Sequence, residues 1–428
     1  MRSINATGRF SVIFEKPIVV FKAQNLCAKS PTLQVEFGRV DRVLSEFSSA
    51  CGLTVVVVAD TSSIAAAVID SLPAELPYFL VGHRNIAFLQ RSIRCQEYFE
   101  NDLSLEEHNK TDFVRTIERL GSANPNILLV PVDDSANRIV QSSFGRLGTR
   151  CYPMPDSSSF ETLSDKWLFH QYCSKIGARA PKALRLNNKD EINFEYMCAT
   201  VGLPFVLKPT NRSNGLGVQV IRSKENLRKE ILLNRKYKFS PLIAQSFIPG
   251  VDIDISALVE GGRIKKFAIQ IRKQNMLCFV ENEELFKLTE AIVSSLCFTG
   301  VIHIDARLHY ASKEIYLVEA NPRFWGSLAE ATSGGLNFVR SGIYSSMGLE
   351  GPDPTTISDV SVPSTNRILV ELLTLRRSYL RLPPIDRLRL KRAFRVNIRS
   401  LVGRCVNIRS LVGRYLNWQV SIRRRLTG

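Results

Sequence analysis

The chain has 428 residues, with 57 Lys and Arg against 40 Asp and Glu, and a formal net charge of +17. That length suggests two or three domains, and 45% hydrophobic with 23% charged residues excludes wholesale disorder. No apolar run approaches the ~18 residues a bilayer span needs, the best candidates being 17–21 and 55–59. The nine cysteines contain no Cys-x-x-Cys pair. They read as free thiols of a reducing cytoplasm, not as a disulfide framework or zinc site. No cleavable signal peptide is read, because Glu15 and Lys16 interrupt the early apolar stretch.

Residues 1–50 are weakly patterned and stay unassigned. The β-branched run at 53–59 predicts a buried strand, Asp60 to Ser63 a polar loop, and the pattern up to Leu72 a helix. Further buried strands are predicted at 78–81 and 127–130. Strands alternating with helices favour a parallel sheet, although no G-x-G-x-x-G follows Val58 to mark a dinucleotide site. The Pro- and Ser-rich stretch 151–160 reads as a boundary. Ser164 is expected to cap a helix over 165–176 that ends near Gly177. Strands are then expected at 203–208, 216–221, 242–248, 254–259, 264–271, 300–309 and 315–321, interrupted by a helix at about 283–298. This run reads as an α+β layer with a mostly antiparallel sheet. Residues 346–375 are taken as a C-terminal helical extension.

The charge is concentrated at the end. Residues 376–428 hold 15 bases and one acid, leaving 42 bases and 39 acids in the rest. This tail also repeats VNIRSLVGR, at 396–404 and again at 406–414. Ten residues advance a helix by ~1000°, which puts the copies ~80° out of register, so the repeat builds no continuous helical face. A basic tail suits an anionic membrane surface or another polyanion, a solvated, partly disordered end being the plainer alternative, while no strong nucleic-acid motif is present.

Three motifs carry chemistry. On strand 300–309, alternation puts Val301, His303, Asp305 and Arg307 on one face and Ile302, Ile304, Ala306 and Leu308 on the other. On 315–321 the same rule puts Ile315, Leu317, Glu319 and Asn321 together. Asp305, Glu319 and Asn321 then offer three oxygen donors of the kind that suits Mg²⁺; an ordinary polar sheet face is the plainer alternative. Second, Lys208 ends an apolar strand, where burial is costly unless it finds an anion. The loop 213–218, with Ser213, Asn214, Gly215 and Gly217, can bring backbone N–H groups close to phosphate, or can be a hairpin turn. Third, the strand at 243–248 ends at Pro249-Gly250 with Asp252 and Asp254 just beyond.

In order and spacing, Lys166, Lys208, the Gly215 loop, Gln245-Ser246-Phe247-Ile248, Asp305 and Glu319-Ala320-Asn321-Pro322-Arg323 resemble the ATP-grasp superfamily. The preceding region, with LLVPVDDSANRIV, looks like the pre-ATP-grasp domain of carbamoyl-phosphate synthase-like members. The resemblance spans roughly 53–345. It implies a Rossmann-like parallel-sheet domain at 51–155. An ATP-grasp domain follows at 156–345, with a small lid at about 180–245 beside an antiparallel-sheet subdomain, and then the basic tail. It implies that Lys166, Lys208 and the loop 213–218 contact ATP phosphates, that Ser246 and Ile248 read adenine within the segment Gln245 to Ile248, and that Asp252 takes the ribose hydroxyls. It implies Asp305, Glu319 and Asn321 as ligands of Mg²⁺, with Mn²⁺ as an alternative ion. Arg323 and Arg272 would stabilise the transferred phosphoryl group or acyl phosphate. Gln245 stands where the family often has Glu, and Arg212 is bulky beside a phosphate loop.

The implied activity is an ATP-dependent ligase that converts a small-molecule carboxylate to an acyl phosphate and joins it to an amine or thiol. Two other readings stand beside it: an ATP-binding regulator or kinase without ligation, and a tail-centred module binding membrane or nucleic acid. His303 and His309 read as supporting or surface residues. Phe324, Trp325 and Gly334-Gly335 read as core and turn. A cytoplasmic protein, peripheral at the inner membrane surface if the tail attaches there, is expected.

Overall fold

The computed structural model describes residues 52–363, apart from 214, 274 and 275. The expectations for 1–50 and for the basic repeat tail lie outside this range.

The first sheet follows from the β-branched run. Strands β1 (Thr54–Ala59), β2 (Tyr78–Gly82), β3 (Cys95–Glu100), β4 (Ile127–Pro131) and β5 (Arg150–Cys151) are parallel, in the order β3-β2-β1-β4-β5. Helices α1 (Ser62–Ser71), α2 (Glu107–Ala123) and α3 (Asp134–Leu147) connect them. β1, β2 and β4 are buried along their whole length, as expected for a sheet covered on both faces. The strand order reverses direction between β1 and β4, which places the loops after them, with Asp60, Thr61, Asp133 and Asp134, at the switch point of the sheet. Asp133 is buried there and accepts from the N–H groups of Asp60 (2.7 Å), Thr61 (2.6 Å) and Ala136 (3.1 Å).

The stretch read as a boundary contains helix α4 (Ser157–Ser164), capped by Asp156, and runs straight into α5 (Lys166–Lys175). Asp165, not Ser164, caps α5: its carboxylate accepts from Trp167 N–H (2.8 Å) and Leu168 N–H (3.0 Å). Ser164 closes the helix before, and its hydroxyl is buried without a partner.

A four-stranded antiparallel sheet follows, in the order β6-β9-β7-β8: β6 (Ala183–Leu186), β7 (Phe205–Pro209), β8 (Gln219–Ile221) and β9 (Leu242–Ser246). With helices α6 (Phe194–Val201) and α7 (Lys224–Leu227) it encloses its own small core, including Met197, Phe205, Leu207, Leu227 and Ala244.

The third sheet has six strands in the order β14-β13-β10-β11-β12-β15: β10 (Gly250–Glu260), β11 (Arg263–Lys273), β12 (Met276–Val280), β13 (Gly300–His309), β14 (Ile315–Asn321) and β15 (Val360–Pro363). Helix α8 (Glu283–Ser295) packs on one face, with Ile292 and Val293 in the core beside Ile253, Ile302 and Ile304. Helices α9 (Leu328–Gly334) and α10 (Phe338–Ser346) join the other face to the first sheet in one continuous core. Tyr152 donates to the carbonyl of Phe338 (2.7 Å), and its ring lies so close to Gly342 that an added Cβ would sit 2.1 Å from it. The expected helical extension at 346–375 is corrected where it is described: 347–363 contains no helix, and β15 pairs with β12 as an edge strand. β6 and β12 were not among the predicted strands. Both are short and only partly buried, and so lack the continuous apolar run that marks β1 or β4.

Candidate active site

The site is a cleft face of the third sheet, and strand register builds it. Gln270 on β11 stands opposite Asp254 on β10, Asp254 opposite Asp305 on β13, and Asp305 opposite Glu319 on β14. A second row holds Ser256, His303 and Asn321. Ile302, Ile304 and Ala306 pack in the core with α8 while Val301, on the other face, joins the core shared with the first sheet, so β13 alternates as predicted. β14 does not. Its register slips between Leu317 and Glu319, where Val318 has no partner on β13. This bulge puts Ile315, Leu317 and Ala320 in the core and turns Glu319 and Asn321 into the cleft. The expectation that all of Ile315, Leu317, Glu319 and Asn321 share a face is therefore corrected, although the two polar residues still meet Asp305.

Two buried lysines converge on Glu319. Lys166, at the start of α5, lies 3.5 Å from it and also donates to the carbonyl of Arg212 (2.6 Å). Lys208, on β7, lies 3.2 Å from the same Oε2. Burial pushes the Lys208 ammonium below its ordinary value, and Lys166 adds to this while Glu319 opposes it. Arg323 is also buried. It donates to Asp134 (2.9 Å), to the carbonyl of Phe324 (2.7 Å) and to Asn321 Oδ1 (3.0 Å). The Asn321 amide donates in turn to Asp305 (3.0 Å). Arg272 lies near the end of β11, exposed, two residues beyond Gln270.

Sequence reasoning missed the other end of the row. Asp254 accepts from Gln270 (3.3 Å), and burial together with the facing Asp305 charge raises its carboxyl to about 7. His303 is buried, with Nδ1 2.8 Å from Ser256 Oγ, Nε2 3.5 Å from Asp305 Oδ1 and its ring stacked on Trp325 (5.5 Å between centroids, 8° between planes). Burial works against the imidazolium, but Asp305 and Asp254 together outweigh it and His303 ends above its ordinary value. Burial likewise opposes ionised Asp305, but His303, Lys208 and Lys166 together outweigh it, so Asp305 ends below. His303 is a member of the cleft, not a surface residue. Period-two alternation was the signal for it.

The donor set fits Mg²⁺ or Mn²⁺ by its chemistry. Asp305 and Glu319 are directly opposed carboxylates, which repel unless cations stand near them, and both offer hard oxygens. Asn321 presents nitrogen to Asp305 and oxygen to Arg323, so its use as an oxygen ligand requires the amide to turn over.

In the loop 213–218, Gly215 (φ 69°) and Gly217 (φ 77°) adopt left-handed conformations, and a Cβ on Gly217 would meet Phe239 at 2.8 Å and Pro209 at 2.9 Å. Ser213 accepts from Leu216 N–H (3.2 Å), while Asn214 lies outside the described residues. Past β9, Ser246 N–H donates to Lys182 O and Phe247 N–H to Pro204 O, and Gln245 is buried within the sheet. Arg307 donates to the carbonyl of Ile248 (2.9 Å), lies over the ring of Phe247 (5.7 Å) and pairs with Asp252. Asp252, expected on ribose, is thus already engaged by Arg307, a residue the motif reading passed over.

This arrangement has known counterparts. Residues 238–367 match the family described as "ATP-grasp in the biosynthetic pathway with Ter operon". Two solved structures share the architecture. An L-amino acid ligase from Bacillus licheniformis is 14% identical, with a TM-score of 0.53 over 69% of this chain and 74% of that one. An N5-carboxyaminoimidazole ribonucleotide synthetase from Thermus thermophilus is 15% identical, with a TM-score of 0.52 over 72% and 81%. The chain has an ATP-grasp fold. In sequence, the chain is 23% identical over 218 residues to a D-alanine–D-alanine ligase of Phocaeicola vulgatus, across 50% of this chain and 56% of that enzyme. It spans about half the length of the curated relatives it matches. Among the described residues, no helix is long and apolar enough to cross a membrane.

Proposed function

We propose that the protein is an ATP- and Mg²⁺-dependent ligase that activates a small-molecule carboxylate as an acyl phosphate and joins it to an amine. The observation that carries this reading is the convergence of Lys166 and Lys208, from separate elements, on a glutamate that faces Asp305. Lysines buried this deeply need an anion. Glu319 supplies it here, and nucleotide phosphate is the natural competitor.

In this reading a carboxylate oxygen attacks the γ-phosphorus and ADP leaves. The amine lone pair then attacks the acyl carbon, phosphate departs with the C–O electrons, and the nitrogen loses a proton. Such phosphoryl transfer asks of the protein mainly positioning and charge. Lys166, Lys208 and Arg323 place positive charge where phosphate oxygens gain negative charge. Asp305, Glu319 and, after its amide turns, Asn321 would hold the divalent ion, which neutralises phosphate charge when bound. The glycines of 213–218 allow the backbone to approach phosphate and exclude water from the acyl phosphate. Ile248 N–H would read the adenine, and the Arg307–Asp252 pair would stand by the ribose. Arg272 stands near the outer edge of the cleft as a further contact for the phosphoryl group.

The test is calorimetric binding of Mg·ATP to the wild type, Lys208→Ala and Glu319→Ala. A charge-assisted contact is worth about 1.5–3 kcal/mol, so each variant should bind about 10- to 100-fold more weakly. ADP release that needs both a carboxylate and an amine would then establish ligation. Folded wild type without affinity for Mg·ATP would end this reading, and ADP release with carboxylate alone would favour a kinase.

A further inference from the structure

We propose that Asp254, His303 and Asp305 form a second divalent-cation site, of the kind that takes an imidazole and two carboxylates, one strand away from the Asp305–Glu319 position. It shares Asp305 with the proposed nucleotide-side ion but depends on no step of ligation.

Three carboxylates stand in direct register on neighbouring strands, Asp254, Asp305 and Glu319. Directly opposed like charges on paired strands are destabilising. The Glu319 end is balanced by Lys166 and Lys208. At the Asp254 end, among the described residues, the hydrogen-bond partner is the neutral amide of Gln270, and no lysine or arginine pairs with it. His303 is the cationic or metal-binding group that stands there.

The geometry then suits an ion. One ligand atom from each of Asp254, His303 and Asp305 lies within 4.8 Å of the other two. Donors bound to one ion at about 2.1 Å stand roughly 3–4 Å apart, so small side-chain rotations close the set. His303 Nε2 is 3.5 Å from Asp305 Oδ1, too far for a good hydrogen bond. It is buried and faces the carboxylates without another partner among the described residues. Its other nitrogen is fixed by Ser256 Oγ at 2.8 Å, and its plane is fixed by the stacked Trp325. A hydrogen bond on the far ring nitrogen and a locked ring are the outer supports usual for a ligating histidine. The Gln270 amide, itself bonded to Ser327 (2.9 Å), plays the same part for Asp254. An imidazole with two carboxylates favours Mn²⁺, Fe²⁺, Co²⁺ or Zn²⁺ over Mg²⁺.

The experiment uses the full chain without nucleotide, with Mn²⁺ alone as the probe, followed by electron paramagnetic resonance. We expect saturable binding with nitrogen modulation from one imidazole in the pulsed spectrum. In His303→Gln that modulation should vanish and affinity should fall at least tenfold. In Asp254→Asn, close in shape and so the safer variant for folding, affinity should fall similarly. The proposal is overturned if folded wild type binds no Mn²⁺, if the bound ion shows no imidazole nitrogen, or if Asp254→Asn binds Mn²⁺ as tightly as the wild type. Because ATP is absent throughout, any of these failures leaves the ligase reading to its own test.

Discussion

Asp254 carries a heavy electrostatic load, because it is half-buried and faces another carboxylate. Its carboxyl is raised from the ordinary aspartate range to about 7. Between those two values the folded state holds a proton that the unfolded chain has released, so stability falls as pH rises through this window and levels off above it. In chelator, Asp254→Asn should therefore match the wild type near pH 4 and exceed its melting temperature by a few degrees near pH 8. Equal melting temperatures at both pH values would mean that Asp254 is not under this load. Neither the load nor the residue's place in the row was legible in sequence, because Asp254 and Asp305 are 51 positions apart and only strand pairing makes them neighbours. Lys208 was legible, since a lysine ending an apolar strand raises the question of its counter-charge by itself.

At the scale of elements, single residues at junctions decide orientation. Val318 is the extra residue that reverses the parity of β14, without which Glu319 would point into the core beside Ile304. Strict alternation reads β13 correctly and fails on β14, because a bulge is set by the partner strand and leaves no mark in local composition. The start of α5 has the same character. Ser164 and Asp165 are both good capping residues, and the choice between them depends on α4 ending where α5 begins. Asp165→Ala should cost about 1 kcal/mol in chemical denaturation. Ser164→Ala should cost almost nothing, since that hydroxyl is buried without a partner. The reverse order of effects would return the cap to Ser164.

At the scale of the whole molecule, the parallel sheet and the six-stranded sheet share a core, and Arg323 ties the cleft to Asp134 on α3. Asp134 is about one-third exposed, so solvent screens the pair. A double-mutant cycle on Asp134→Asn and Arg323→Lys should give a coupling of about 1 kcal/mol in stability, and additivity would show the contact to be incidental. The succession of a parallel layer and an antiparallel layer was readable from run lengths and alternation. The joining of their cores through α9 and α10 was not, since it depends on contacts such as Tyr152 with Phe338 across 186 positions.

The four-stranded sheet stands apart from this union. Its first strand pairs with its last, Ala183 opposite Gln245, so the chain leaves it beside the point where it came in. Topologically it is a cassette: a self-cored loop whose two ends already touch. Such a segment can be replaced by the corresponding piece of a relative without re-routing the rest of the chain. In hydrogen exchange it should open as a cooperative unit of its own, below the global unfolding energy. Lys208 is its one lysine on Glu319, so nucleotide that recruits Lys208 should slow exchange across the whole cassette, not at the phosphate loop alone.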